Sequence, residues 1–223
     1  MMSTLLSMPL FQGLTMDELM KLLEQVRPDF LHFENCEIVH QGERHTQLLY
    51  ILSGHVERLH ADPQARLLFS EELEDADFIE ISNLFGRDTT LHSTYRAIGE
   101  VTLLAFDKSY MFNVFGHFSI VQLNLLNLYC AQTQALRERF RPLIGDNIHT
   151  RFCNFVHSYC ENPSGEKQLK ITRVDLARLL GCNRRRMSEA IANWQHAGLV
   201  TLTYGGIAIH DLNRLQTSPS SII

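Results

Sequence analysis

No run of roughly 18 apolar residues occurs in the 223-residue chain, which excludes a membrane-crossing helix. The opening MMSTLLSMPLFQG has no basic stretch ahead of an apolar core, so no secretory leader is expected. Cysteine is sparse and unpaired in pattern. Cys36, Cys130, Cys153, Cys160 and Cys182 are odd in number and never stand in C-x-x-C spacing, so a reduced compartment with free thiols is expected. No H-x-H occurs either. In HQGERH, His40 and His45 have four residues between them, and no metal site is expected.

What the chain does have is an uneven spread of charge. The formal net charge is −5, but residues 1–136 carry −10 and residues 137–223 carry +5. An acidic front joined to a basic back predicts two domains with different partners. The basic end is the place to look for a polyanion.

In the acidic part, LTMDELMKLLEQV predicts a helix. Thr15 caps it, Glu18 completes a capping box three residues on, and Leu19, Leu22, Leu23 and Val26 follow at helical spacing. From Phe30 to Asp107, short apolar runs alternate with Gly42, Gly54, Pro63 and Gly99. The runs EIVHQGE, LLYILSGHVERLHADP, ARLLFSEEL, DFIEI and YRAIGEVTLLAF predict strands of a small antiparallel barrel or roll. Residues 118–140, without Gly or Pro, predict one long helix. Val121, Leu125, Leu128, Gln132 and Ala135 form one stripe; Leu123, Leu126 and Cys130 form a second beside it. A helix apolar on two sides is expected to meet its own roll with one and a second copy with the other, and the first stripe is assigned to the second copy. Pro142 and Gly145 mark a hinge.

The basic end reads as a series of short elements. HTRFCNFVHSYCEN predicts a helix with Phe152, Phe155, Val156 and Tyr159 on one face, and PSGEKQ a loop. ITRVDLARLLG opens with Thr172 and Asp175 as a second capping box and buries Leu176, Leu179 and Leu180. Gly181 ends it, and another helix begins after Asn183. Two short helices joined by a Gly-containing turn are the helix-turn-helix pattern. VTLTYGGIAIHD then predicts a hairpin turning at Gly205-Gly206, a wing beside the helix pair.

Arg184, Arg185 and Arg186 open the second of these helices, against its own dipole, so local stability does not explain them. Met187, Ala190, Ile191 and Trp194 share one face and are expected to be buried. Arg185, Ser188, Glu189 and Ala192 point the other way. Hydrogen-bonding side chains on one face and positive charge at the N-terminal end suit a helix lying in the major groove of DNA. Candidate base contacts are Arg184, Arg185, Ser188 and Glu189; candidate phosphate contacts are Thr172, Arg173, Asn183 and Arg186.

ITRVDLARLLGCNRRRMSEAIANWQHAGLV resembles the winged helix of the bacterial CRP/FNR transcription regulators. IVHQGERHTQLLYILSGHVERL resembles that family's cyclic-nucleotide-binding roll, and DFIEISNLF stands where its ligand cassette begins. The resemblance spans roughly residues 9–215. It implies an α+β fold and no enzyme: a jelly-roll-like effector domain with its lead helix over 1–117, a dimerisation helix over 118–142, a winged helix over 143–217 and a short tail over 218–223. It also implies a bacterial cytoplasmic homodimer that binds a palindromic operator and works with RNA polymerase. The effector would sit in the roll against the dimer helix, and its binding would rotate the DNA-binding domains.

The ligand cassette departs from the cyclic-AMP pattern. Members that bind cyclic AMP hold the ribose with a Glu and the phosphate with an Arg. Here an ungapped comparison places Glu80 and Ile81 at the Gly-Glu pair, Leu91 and His92 at the Arg-Ser pair, and Leu136 at a dimer-helix contact to the base. Without its Arg a buried phosphate loses a charge-assisted pair, so cyclic AMP is not expected, although these residues remain the effector-pocket candidates. Of the family's other effectors, an iron–sulfur cluster needs several N-terminal cysteines, and only Cys36 precedes Cys130. Haem stays open, with His32, His40, His45, His55, His60, His92, His117 and His149 as too many ligands to choose among. A 2-oxoglutarate or chlorinated-aromatic effector, or none, stays open as well. A cupin-type metal enzyme, the reading from another class, lacks its H-x-H. In the best-known members a Glu one turn before an Arg reads a TGA-type half-site. Here Arg185 precedes Glu189, the reverse order, so a different core sequence is expected.

Overall fold

The computed structural model describes residues 2–73, 76–139, 147–162 and 164–218. The chain forms two compact units. The first comprises Met1–Val56 and Glu74–Leu136; the second comprises Glu57–Leu73 and Arg137–Ile223. The hinge placed at Pro142 and Gly145 lies outside the described residues.

In the first unit, helix α1 (Met2–Ser7) precedes α2 (Met16–Gln25). The capping box forms: the Thr15 N–H donates to Glu18 Oε2 at 2.8 Å and the Glu18 N–H donates to Thr15 Oγ1 at 3.3 Å. Strand β1 (Asp29–Glu34) pairs antiparallel with β5 (Thr94–Asp107), Asp29 opposite Ala105 and Glu34 opposite Glu100. The short β2 (Glu37–Val39) joins β5 through a bulge, and the first part of β3 (Gln47–Asp62) flanks β5 on its other side. Phe11, Phe106 and Phe115 meet edge to face at 5.6–5.8 Å in the core, the T-shaped geometry that ring quadrupoles favour. DFIEI is not a strand. Phe78 makes a single bridge to Tyr50, Glu80 turns left-handed (φ 38), and Ile81–Asn83 is one turn of 3₁₀ helix.

A four-residue helix α3 (Tyr110–Asn113) leads to α4 (Ser119–Arg139), and it is the stripe expected to meet a second copy that the unit's own core takes up. Val121 is fully buried in the unit's own core, Leu125 and Leu128 pack against that core, and Gln132 is half-buried. Asn124 pins this side by donating to the carbonyls of Leu10 (3.0 Å) and Gln12 (2.8 Å). The free side carries Leu123 and Leu126, 55% and 59% exposed, with exposed Cys130. The side chains of Ala135 and Leu136 lie outside what the structure describes.

The second unit contains α5 (Ile148–Tyr159), α6 (Arg173–Leu179), α7 (Arg184–His196) and α8 (Leu212–Thr217), with a sheet. The sheet order is β3, β4 (Leu67–Leu73), β6 (Lys167–Lys170), β8 (Gly206–Ile209) and β7 (Val200–Thr203). PSGEKQ is therefore not loop throughout: its last two residues begin β6. Gly206 is required where it stands, because an added Cβ would lie 2.3 Å from the Leu169 carbonyl oxygen. The core stacks Phe152 on Trp194 at 4.5 Å and gathers Leu169, Leu176, Met187, Ile191 and, from the β3–β4 hairpin, Leu67 and Phe69.

Candidate nucleic-acid interface

α6 and α7 are joined as a helix-turn-helix requires. Gly181 takes a positive φ (62) that side-chain-bearing residues resist, and the Cys182 N–H reaches back to the Ala177 carbonyl at 2.9 Å. Thr172 Oγ1 accepts the Asp175 N–H at 3.1 Å, but the expected box is only half made. The Asp175 carboxylate takes the Thr172 hydroxyl at 2.7 Å and pairs with Arg178 at 3.1 Å. Asp is one methylene shorter than the Glu that closes the box at Thr15. Leu179, expected to be buried with Leu176 and Leu180, is exposed. Asn183 caps α7 by accepting the Arg186 N–H at 2.8 Å.

The far side of α7 is fastened inward by Met187, Ala190, Ile191 and Trp194, all buried. Arg184, Arg185, Arg186 and Glu189 stand exposed and Ser188 half-exposed, with no acid in the first helical turn. Arg185 Nε pairs with Glu189 Oε1 at 2.9 Å, the two side chains 89% and 59% exposed. An exposed i,i+4 pair is worth only about 0.2–0.5 kcal/mol, less with Arg first, and a better partner displaces it readily. Among the described residues, Arg184, Arg186 and Arg173 have no carboxylate partner.

The wing turns one residue earlier than expected. Thr203 pairs with Gly206, so Tyr204 and Gly205 form the turn, and Gly205 takes a positive φ (79) that glycine adopts without strain. Tyr204 is fully exposed at the tip. A recess of about 300 Å³ opens between Thr172, Arg173 and Leu176 on one side and Leu202, Thr203, Gly205 and Gly206 on the other.

In the first unit the cassette positions are closed on themselves. Glu80 is buried, and its carboxylate accepts the His92 N–H at 2.7 Å, Asn83 Nδ2 at 3.0 Å and the Tyr95 hydroxyl at 3.3 Å. Ile81 and Leu91 are buried, and the Tyr129 hydroxyl donates to the Ile81 carbonyl at 3.2 Å. The His92 side chain points outward, 3.7 Å from Asp88. His45, which the sequence named only among many histidines, is buried close by. Desolvation holds its pKa below the ordinary 6.5, against the opposing pull of Glu80. Burial also pushes the pKa of His149 down and that of Cys153 up to about 12. Among the described residues, no three His, Cys, Asp or Glu gather as a metal group, and no helix is long and apolar enough to cross a membrane.

A β-roll unit and a winged helix with an arginine-led second helix define a DNA-binding regulator. Residues 34–117 match the cyclic nucleotide-binding domain, and residues 150–218 match the Crp-like helix-turn-helix domain. The cAMP-activated global transcriptional regulator CRP of Escherichia coli O6:H1 is 23% identical over 175 residues, 74% of this chain and 80% of that protein. Its counterpart from Salmonella typhimurium is 21% identical over 174 residues, with the same coverage. A crystal structure from Eubacterium rectale, described as a CRP/FNR-family transcriptional regulator, aligns with a TM-score of 0.55 at 22% identity over 94% of this chain and 96% of that one. The chain belongs to the CRP/FNR family: it is a DNA-binding transcription regulator and not an enzyme.

Proposed function

We propose that the protein is a homodimer that reads a palindromic operator through α7 and does not use cyclic AMP as its effector. The observation that carries the reading of DNA is the arrangement of α7: a polar, arginine-led face with no acid in its first turn, held outward by four buried residues. Arg184, Arg185, Ser188 and Glu189 reach base edges. Arg173 and Arg186 bring charge to phosphates, and the capped chain at Thr172 and Asn183 brings backbone N–H groups. The second copy docks on the Leu123, Leu126 and Cys130 side of α4, which the first unit leaves uncovered. Working units of 1–117, 118–142 and 143–217, a cytoplasmic location and a contact to RNA polymerase complete the reading.

The named relatives are cAMP-activated. In this chain Leu91 offers a phosphate no charge, and three internal donors already engage Glu80. The test is selection of bound duplexes from a random pool, followed by affinity measured across salt concentrations. The expected result is a palindrome with half-sites roughly 34 Å apart and an affinity that falls steeply with salt. Failure to enrich any sequence would overturn the reading.

A further inference from the structure

The sheet of the DNA-binding unit contains a strand that the winged-helix segment does not encode. β4 pairs antiparallel with β6: Leu68 stands opposite Lys170, Phe69 opposite Leu169, Ser70 opposite Gln168 and Glu71 opposite Lys167. Leu67 and Phe69 enter the same core as Phe152 and Trp194. The hairpin Glu57–Leu73 thus belongs to the roll by sequence and to the DNA-binding unit by packing.

The fastening is ionic and dry. The Glu71 side chain has no solvent exposure. Its Oε1 accepts Arg58 Nη1 at 2.8 Å and the Glu161 N–H at 2.8 Å; its Oε2 accepts the Cys160 thiol at 3.3 Å and the Asn162 N–H at 3.3 Å. Lys167 Nζ, equally buried, lies 3.7 Å away and also donates to the Ser164 and Gly165 carbonyls. Arg58 Nη1 reaches the Tyr159 carbonyl at 2.8 Å, and its Nε faces Glu161 Oε1 at 3.4 Å. One carboxylate from the hairpin therefore holds both ends of the 160–167 connection, the end of α5 and the start of β6. β6 runs directly into Thr172, the cap of α6. Breaking a buried pair on one side leaves an uncompensated charge, a much larger penalty than losing a surface pair.

We propose that the hairpin is a working strand pair of the DNA-binding unit and that Glu71 is a positioning residue for the helix-turn-helix. The proposal rests on the reading of α7 as the DNA-reading helix, and it makes hairpin docking a condition for tight DNA binding. Glu71→Gln turns an amide N–H₂ toward Arg58 and Lys167 in place of a charge. Affinity for the duplex selected with the parent chain should fall at least about tenfold. The Cys160 thiol, followed by peptide-resolved labelling, should become reactive in the folded protein.

A second variant adds Ser70→Cys and Gln168→Cys, which face each other across the β4–β6 ladder at the Cα spacing a disulfide spans. In its oxidised form this triple variant should regain the parent affinity to within about threefold and protect Cys160; reduction should undo both, since only an intact hairpin contact separates the two forms. Undiminished binding by Glu71→Gln would overturn the proposal, and so would lost binding that the cross-link does not restore. A parent chain that selects no duplex would instead overturn the DNA-reading assignment, while the Cys160 labelling still reports whether the hairpin is docked.

Discussion

At the residue scale, two buried titratable groups of the first unit, His45 and Glu80, act on each other. Desolvation lowers the pKa of His45, with Glu80 opposing that shift and Lys108 adding to it. Its folded-state pKa lies below the ordinary 6.5, so the unfolded chain takes up the proton first as pH falls. Its contribution to stability is complete above the unfolded value and is lost as pH falls through it toward the folded one. Replacing His45 with Gln should make the acid limb of stability, measured by urea unfolding from pH 7 downward, shallower than the parent's; an unchanged slope would remove His45 from that limb. Glu80 is the second group. Glu80→Ala takes the acceptor from the His92 N–H, one Asn83 amide N–H and the buried Tyr95 hydroxyl, at a cost of about 1–3 kcal/mol measurable in thermal unfolding. Calorimetry of the parent with cyclic AMP should show no micromolar binding. A clear micromolar isotherm would mean that the 80–92 segment opens for a phosphate after all.

At the scale of elements, the sequence was most legible where structure is local. Thr15, Thr172 and Asn183 cap the helices they precede because a cap needs only a side chain and an N–H two or three residues on. The buried face of α7 follows in the same way from helical spacing. Long-range choices were not legible. Two apolar stripes run along α4, and periodicity cannot say which one the Leu10–Gln12 carbonyls will draw inward through Asn124. The alternation in DFIEI reads as strand, yet Glu80 leaves the strand to collect three donors, one of them twelve residues away. The pairing of β4 with β6 joins segments about a hundred residues apart, which no local pattern encodes. The proposed docking of a second copy on the uncovered side of α4 has a direct consequence. Glu at Leu123 and Leu126 should yield monomers by light scattering with the fold intact, whereas Glu at Leu125 should unfold the roll. Dimers that survive the first pair of substitutions would place the interface elsewhere.

At the scale of the whole molecule, the charge asymmetry visible in the sequence sets an acidic front against a basic end that contains α7. The candidate DNA-contact residues of α7 all lie on its outward side, and only Arg185 and Glu189 are engaged with each other. We propose that this pair opens on DNA, so that Arg185 donates to a guanine edge while Glu189 accepts from a cytosine. Parallel selection from random duplexes with the parent, Arg185→Ala and Arg186→Ala decides whether it does. The expected result is a parent half-site core other than TGA and a loss of preference at one base pair with Arg185→Ala, costing about 1–3 kcal/mol there. Arg186→Ala should retain the parent sequence but bind it more weakly, with a salt slope smaller by about one. An ordinary TGA palindrome, or an Arg185→Ala protein that selects the parent sequence unchanged, would contradict it and leave the pair as a surface ion pair of α7.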